Sequence, residues 1–226
     1  MNRKVFPSNA SPPASGFTLV ELLLAIMIVS IALVLTFPAL SGGRIQATKV
    51  KCLNNLRQLQ TACSQYAGEN NGRFPSGDRQ FILPHEFGNF SNTLGLYLSV
   101  PREKIMFCPG DLIKVRNAST PLYQSNYTTY QYFNFGPPFL GTFSTNKPDM
   151  SRMATIPSDV PLWGCLAATK GGITYGHSEP AVKRSLSGMN VVYPDGHGGW
   201  VDEKSLEVYY LQDGLSLYWP KPAPRP

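Results

Sequence analysis

The longest apolar stretch of the chain lies near its start, behind a short polar and basic segment. Residues 17–40 contain one charged side chain, that of Glu21, and a helix needs about 20 such residues to cross a bilayer core. A secretory signal has a shorter apolar core, followed by its cleavage site. Here the apolar run is too long for such a signal, and the expected cleavage site, at Gly16, lies before it. The pattern therefore predicts a leader over residues 1–16 and a transmembrane segment over 17–40 that is kept after cleavage.

Apolar residues continue beyond this run at the spacing of a helix. They recur every three to five positions up to residue 66, with polar residues between them: Ile45, Val50, Leu53, Leu56, Leu59, Cys63 and Tyr66. This spacing predicts an amphipathic segment over 41–66 that buries one face in a core. Asn70-Asn71-Gly72 predicts the end of the helical region. A single long helix over 17–66 is the expected first element.

The remaining residues, 67–219, predict a head with a small antiparallel sheet and long loops. Short segments rich in aromatic and β-branched residues are candidate strands, over 104–108, 127–135, 162–166 and 189–193. The last of these continues through Pro-Asp-Gly into 198–202, a pattern typical of a β-hairpin. Residues 220–226 are rich in proline and predict a disordered tail. The expected fold class is α+β, with the long helix packed on the sheet.

Glu21 is the one ionisable residue within the apolar run. A carboxylate at mid-membrane costs about 2.5 kcal/mol or more and tends to mark function. In one interpretation Glu21 lies near enough to the end of the span to reach the headgroups. In the other, cleavage after Gly16 creates an ammonium group on Phe17, and the Glu21 of a neighbouring copy pairs with it. The residue taken alone does not decide between the two.

The string Gly16-Phe17-Thr18-Leu19-Val20-Glu21, with the apolar residues after it, resembles the prepilin cleavage and methylation motif of type IV pilins and type II secretion pseudopilins. The resemblance implies that a prepilin peptidase cuts after Gly16 and methylates the new amine of Phe17. It implies that Glu21 guides assembly with other pilin subunits, and that Pro38 stands where many pilin helices bend. It also implies an assembly platform in the inner membrane, a single membrane pass, and a head in the periplasm or on a filament.

Four strings of the head resemble a subgroup of these proteins that is frequent in planctomycetes and verrucomicrobia. They occupy residues 51–58, 71–75, 108–111 and 190–197. Members of the subgroup carry a histidine, then nine residues, then Asp-Gly. Asp195-Gly196 is present in this chain, but Ser185 stands where that histidine would be. The role of this position is therefore open.

The four cysteines can form disulfides in a head outside the cytoplasm. Cys52 and Cys63 lie on one predicted helix about 16 Å apart, so they cannot bond to each other. A disulfide between Cys108 and Cys165 and a set of buried free thiols are both compatible with the sequence. No pair of cysteines shows the Cys-x-x-Cys spacing of a zinc site, and we predict no metal ligands among them.

Several other functions are disfavoured by composition and spacing. The net charge of +6 comes from scattered residues, so nucleic acid is not an expected partner. Asp195 and His197 could form a catalytic pair, but Asp-Gly at a hairpin is usually turn chemistry, and we predict that the protein is not an enzyme. Four carboxylates in predicted loops are of the type that binds calcium: Asp111, Asp195, Asp202 and Glu203. They do not form a dense ligand pattern in the sequence, so we predict no cofactor.

Two functions remain. The first is a structural subunit of a type II secretion pseudopilus or type IV pilus, and this is the predicted function. The second is a pilin-anchored surface module that binds polysaccharide or another ligand. A stripe of aromatic residues would serve that module, although such stripes more often form strand core; it consists of Tyr123, Tyr127, Tyr130, Tyr132 and Phe133.

Overall fold

A computed structural model of the chain describes residues 16–75, 93–110, 128–133, 151–171, 173–177, 186–212 and 214–221. The chain divides into two compact units, Met1–Arg44 and Ile45–Pro226. Its described elements are a long N-terminal helix, a short second helix and two antiparallel sheets. The predicted α+β class is therefore confirmed.

Helix α1 runs from Leu19 to Glu69. In the first unit its described side chains are all exposed, and most are large and apolar: Leu23 is 54% exposed and Val34 is 71% exposed. The hydroxyl of Ser30 donates to the Ile26 carbonyl at 2.6 Å, so this polar group is satisfied within the helix. A helix that is apolar on all sides needs lipid or other protein around it.

The membrane span predicted over 17–40 is not confirmed. Within the part of the chain that the structure describes, no helix has both the length and the apolar character required to cross a membrane. Pro38 lies within α1, in a stretch, 35–42, whose side chains fall outside the description. The predicted bend at Pro38 therefore stays a prediction.

In the second unit, α1 buries one face in the core of the head. Its fully or almost fully buried residues are spaced by three or four positions, which places them along one side of a helix; they are Cys52, Leu56, Leu59, Ala62, Cys63 and Ala67. Five polar residues on its other sides are exposed: Lys51, Asn54, Arg57, Gln58 and Thr61. This is the burial pattern of an amphipathic helix, the kind of segment predicted over 41–66.

Two details of that prediction are wrong. Ile45 and Val50 are exposed, at 41% and 58%. Val50 precedes Cys52 by two positions, about 200° around a helix, and so lies on the opposite side. Asn55, expected at the surface, is buried. Its amide donates to the Phe107 carbonyl at 3.4 Å and to the Tyr130 hydroxyl at 3.2 Å, so its polar group is satisfied inside the core.

Helix α1 ends at Glu69, immediately before the predicted stop signal Asn70-Asn71-Gly72. Its last residue lies three positions beyond residue 66, where the helix was expected to end. Asn71 and Gly72 both have positive φ, at 55° and 72°. The Gly72 N–H donates to the Ala67 carbonyl at 2.8 Å, which satisfies one of the carbonyls left open at a helix C-terminus.

The first sheet has the strand order β1-β2-β5-β6, and all neighbours are antiparallel. Its strands are β1 (Tyr130–Tyr132), β2 (Trp163–Cys165), β5 (Gly188–Val192) and β6 (Gly198–Asp202). All four lie in or next to predicted segments, and β5 and β6 form the predicted hairpin. Val192 pairs with Gly198 next to the turn.

The second sheet, of order β4-β3-β8-β7, was not predicted. Its strands are β3 (Ala168–Lys170), β4 (Ile173–Tyr175), β7 (Leu206–Gln212) and β8 (Leu215–Pro220). A 3-10 turn over Glu203–Ser205 joins β6 to β7. Pro220, expected to open a disordered tail, is instead the last residue of β8 and pairs with Leu206. Residues 222–226 lie outside the description.

The strand predicted over 104–108 is also wrong. Its first residues belong to the short helix α2 (Arg102–Ile105), which follows Pro101 and is made of good helix formers. The Lys104 N–H donates to the Pro101 carbonyl at 3.0 Å. Cys108 follows this helix and is 1% exposed.

A buried glutamine joins the two sheets. Gln131, in β1, is 1% exposed. Its amide donates to the Cys165 carbonyl of the first sheet at 2.9 Å and to the Tyr218 carbonyl of the second at 3.2 Å. Its oxygen accepts from the Tyr209 hydroxyl at 2.8 Å. The side chain therefore satisfies polar groups of both sheets at their junction.

Gln131→Leu should lower the free energy of unfolding of the full chain by roughly 1–3 kcal/mol, because it removes the partner of buried polar groups. Urea denaturation measures this change. The matched control is Gln65→Leu on the exposed side of α1, which should change the free energy by less than about 0.5 kcal/mol. Equal effects of the two substitutions would contradict a joining role for Gln131.

Candidate functional site

The first turn of α1 is closed by Thr18 and Glu21. The backbone N–H and the hydroxyl of Thr18 donate to Glu21 Oε2 at 2.9 Å and 2.7 Å. The Glu21 N–H in turn lies 3.3 Å from Thr18 Oγ1. This is a capping box, in which two open N–H groups of a helix start are satisfied reciprocally. This role of Glu21 was not predicted, although Thr-x-x-Glu before an apolar run is the usual signal of a capping box.

Gly16 and Phe17 precede this box. Phe17 is 82% exposed. A Cβ added at Gly16 would meet no atom of the described structure within 4 Å. Nothing in the described fold therefore requires glycine at position 16.

Three cysteines and a histidine converge inside the second unit. Cys52 lies on α1, Cys108 follows α2, Cys165 ends β2, and His177 follows β4. Their side-chain sulfur and nitrogen atoms all lie within 4.8 Å of one another, and all four residues are buried. The Sγ of Cys52 is 2.6 Å from that of Cys165 and 3.4 Å from that of Cys108. The Sγ of Cys108 is 3.1 Å from His177 Nε2.

The loop around Cys108 is shaped to place its sulfur and the histidine side by side. The Cys108 N–H donates to the Thr129 hydroxyl. The backbone of Gly110 hydrogen-bonds to the Cys108 sulfur and favours its thiolate. A Cβ at Gly110 would lie 2.5 Å from two atoms of the His177 ring, well inside van der Waals contact. Glycine is therefore required for the close approach of this loop to the histidine.

His177 is held in place by Ser187, which precedes β5, and by Trp200 of β6. Its carbonyl accepts from the N–H and the hydroxyl of Ser187, at 3.1 Å and 2.6 Å. Its ring packs edge to face with Trp200, at 5.4 Å between centroids. The contacts with Ser187 fix the backbone of His177, and the contact with Trp200 positions its ring.

The electrostatics of the cluster favour one thiolate among the three thiols. Burial raises the pKa of Cys108 and of Cys165 well above the usual range. Burial also acts to raise the pKa of Cys52, but hydrogen bonds with Cys108, Cys165 and His177 together hold it well below its usual value. A sulfur anion is therefore stabilised at the centre of the cluster.

Cys63 lies outside this cluster although it shares the buried face of α1. Its sulfur accepts from the indole N–H of Trp163 at 3.4 Å. Burial raises the pKa of Cys63 to about 12. It is thus a core thiol, and it provides an internal comparison for the other three.

All four cysteines are free thiols in the structure. Cys108 and Cys165, for which the sequence allowed either a disulfide or buried free thiols, lie in the same cluster and are not bonded to each other. Cys52 and His177 were not predicted as their neighbours, because neither residue lies at the short spacing from another ligand that marks a metal site in a sequence. Cys52 and Cys165 are 113 positions apart, and no local pattern connects them.

The Asp195-Gly196 motif builds the hairpin turn, as predicted. Asp195 Oδ1 accepts from the His197 N–H at 3.0 Å and contacts its ring nitrogen Nδ1. Gly196 has φ +89°, a conformation that suits glycine. The His197 ring stacks on Tyr193 at 4.1 Å. Asp195 and His197 are both more than half exposed.

The hairpin that carries this turn packs against α1. Gln60 donates its amide to the Pro194 carbonyl, and Asn190 donates to the Lys49 carbonyl at 2.8 Å. The Lys49 ammonium lies 3.5 Å from the centre of the Trp200 ring. The motif therefore shapes a turn whose place is fixed by the helix.

The other candidate residues of the sequence do not form a site in the described part of the chain. The stripe members Tyr130, Tyr132 and Phe133 are buried core residues, while Tyr123 and Tyr127 lie outside the description. Among the calcium candidates, Asp202 accepts from the Trp200 indole at 2.9 Å. Asp111 and Ser185 lie outside the described residues. Within the described residues, the cysteine–histidine cluster is the group with metal-binding geometry.

Residues 12–37 match the prokaryotic N-terminal methylation motif. The motif indicates a type IV pilin-like or pseudopilin-type protein, which a prepilin peptidase processes and which assembles with other pilin subunits. The chain has no significant match among curated proteins or among solved structures. The resemblance of the head to one subgroup stays a prediction.

The hydrogen bond from the His197 backbone, aided by the ring, lowers the pKa of Asp195 below its ordinary value of 3.8. A lowered carboxyl pKa stabilises the fold above pH 3.8 and loses this effect as the pH falls further. Asp195→Ala should therefore reduce Tm at neutral pH, and the difference from the wild type should shrink below pH 3.8. Thermal melts at several pH values test this. Asp159→Ala, at an exposed position, is the control; a Tm difference for Asp195→Ala that persists in acid would contradict the prediction.

Proposed function

We propose that this chain is a structural subunit of a type II secretion pseudopilus or type IV pilus. It is cut after Gly16, held in the inner membrane by the start of α1, and carries its head in the periplasm or on the filament. The observation that carries the proposal is the methylation motif over residues 12–37, placed at the start of a helix with apolar side chains exposed on every side.

The exposed apolar surface of α1 supports an anchoring and assembly role. Leaving such side chains in water costs about 25 cal/mol for each Å² of apolar area, so a surface of this kind is stable only when covered. Lipid covers it before assembly, and the helices of neighbouring subunits cover it afterwards. A pilin-like subunit passes through both environments.

Two roles of Glu21 are compatible with its geometry. The contacts with Thr18 use Oε2, and a carboxylate has two oxygens that accept hydrogen bonds. Glu21 therefore closes the first turn of its own helix and still presents negative charge to the Phe17 amine of a neighbour. The charge is the part needed for assembly, because an ion pair is strong where water is excluded.

The head acts in assembly or recognition and not as an enzyme. Asp195 and His197 are engaged with each other in a turn, and this contact suffices to explain both residues. Candidate polysaccharides and peptides can be incubated with the purified full chain to test the proposal. Hydrolysis that Asp195→Ala abolishes without lowering Tm at the assay pH would make the head an enzyme.

Processing should yield a mature chain that begins at Phe17 with an N-methylated amine. Gly16→Val should block this cleavage, because the proposed cut lies directly after Gly16 and the peptidase must recognise the residue there. The described fold has room for a side chain at position 16, so a loss of cleavage would reflect the peptidase and not misfolding. Intact mass and N-terminal sequencing of the membrane-extracted protein give the answer. Ser15→Ala, one residue earlier, is the control and should be cut normally. A wild-type chain that keeps Met1, or starts after Leu40, would remove this part of the proposal.

Two substitutions distinguish the role of Glu21 in capping its own helix from its role in pairing with a neighbouring subunit. Glu21→Gln keeps a side chain that can close the capping box but removes the charge, so it should insert into membranes at least as well as the wild type. Its incorporation into filaments should fall by about tenfold or more, the effect of losing ~1.4 kcal/mol of pairing. Thr18→Val opens the box, keeps the carboxylate, and should still be incorporated.

Mass spectrometry of isolated filaments measures incorporation, and mass spectrometry of the membrane fraction measures membrane insertion. Normal incorporation of Glu21→Gln together with loss for Thr18→Val would limit Glu21 to capping its own helix.

A further inference from the structure

We propose that Cys52, Cys108, Cys165 and His177 form a structural zinc site that fastens α1 to the sheet of the head. Three thiolates and one imidazole are an established donor set for tetrahedral zinc. Soft sulfur ligands disfavour calcium and magnesium, which prefer oxygen. The proposal rests on the cluster alone and does not depend on the pilus function.

The geometry of the cluster fits one ion. In a tetrahedral site with Zn–S bonds of about 2.3 Å and Zn–N bonds of about 2.0 Å, two sulfurs lie about 3.7 Å apart and a sulfur and a nitrogen about 3.5 Å apart. The separations of 3.4 Å between the sulfurs of Cys52 and Cys108 and 3.1 Å between the Cys108 sulfur and His177 Nε2 are within about 0.4 Å of these values. The Cys52 and Cys165 sulfurs, at 2.6 Å, would move apart by about 1 Å on binding.

The burial of the cluster makes the site structural and not catalytic. Cys52 and Cys165 are 0% exposed, Cys108 1% and His177 7%. Four protein ligands fill a tetrahedral shell, whereas catalytic zinc keeps a position open for water or substrate. A closed and buried ion stabilises the fold that surrounds it.

The surroundings of the ligands are those of a built site. The Gly110 backbone hydrogen-bonds to the Cys108 sulfur, and glycine at this position makes room for the His177 ring. Ser187 holds the backbone of His177 at its carbonyl. Contacts of this kind orient ligands and tune their affinity for a metal.

A disulfide between Cys52 and Cys165 is the competing explanation of their proximity. A disulfide would involve two of the four groups and would not account for the position of Cys108 beside His177. An ion accounts for all four groups at once, including the histidine. The convergence of His177 on three sulfurs is the observation that favours metal.

The test begins with the full chain, purified in mild detergent from cells grown with zinc and analysed by elemental mass spectrometry. We expect about one zinc per wild-type chain, and at least a tenfold loss in Cys52→Ala and His177→Ala. Cys63→Ala is the matched control: it removes another fully buried cysteine from the same helix face and should keep its zinc. His177→Cys should restore binding that His177→Ala loses, because a set of four cysteines also binds zinc.

A second measurement on the wild type applies even if the variants do not fold. The protein is denatured with a chelator but without a reductant, alkylated, and weighed. A zinc site leaves all four cysteines open to alkylation, whereas a Cys52–Cys165 disulfide leaves two. Stoichiometric zinc with four alkylated cysteines supports the proposal, while a wild type without zinc, or one with two alkylated cysteines, overturns it.

Discussion

The head is organised around the buried face of α1. Leu56 and Leu59 are fully buried there, and hydrogen bonds from Gln60 and to Lys49 tie the β5–β6 hairpin to the same helix. Because these contacts extend over about three turns, the helix cannot rotate or slide in the head without breaking several of them. The first sheet, the Asp-Gly turn and the cysteine–histidine cluster all take their positions from this packing.

Polar groups and the cysteine–histidine cluster lie inside this small core and make its contacts directional. Apolar contacts alone have no preferred direction, whereas the Asn55 amide and the sulfur of Cys52 have partners at fixed places. In the proposed function, the start of α1 is held among other subunits and the head is carried by the same helix. A head that moved on its helix would be placed irregularly along a filament, so directional contacts at this junction serve assembly.

Most features with local signals were predicted from the sequence, and features that depend on distant residues were not. The face around Leu56, the end at Gly72 and the hairpin at Asp195 follow from helical period and turn chemistry. The capping box at Thr18 and the antiparallel pairing of β7 with β8, between which the sequence reads Asp-Gly, had equally local signals and were not predicted. The strands β3 and β4 have three residues each, which is too few to show the alternation of apolar and polar residues that marks a strand in a sequence. The cluster had no signal at all, since Cys52 and Cys108 are 56 positions apart and meet only through the fold.

The distance along the chain between α1 and the strands that cover it has a consequence for biosynthesis. The helix face at Cys52 is made early, but β5 and β6, which dock beside it, end only at Asp202. At 5–20 residues per second, translation of the intervening chain takes on the order of ten seconds. During that interval the apolar side of the helix has no sheet to pack on, and it is a surface that a chaperone can cover.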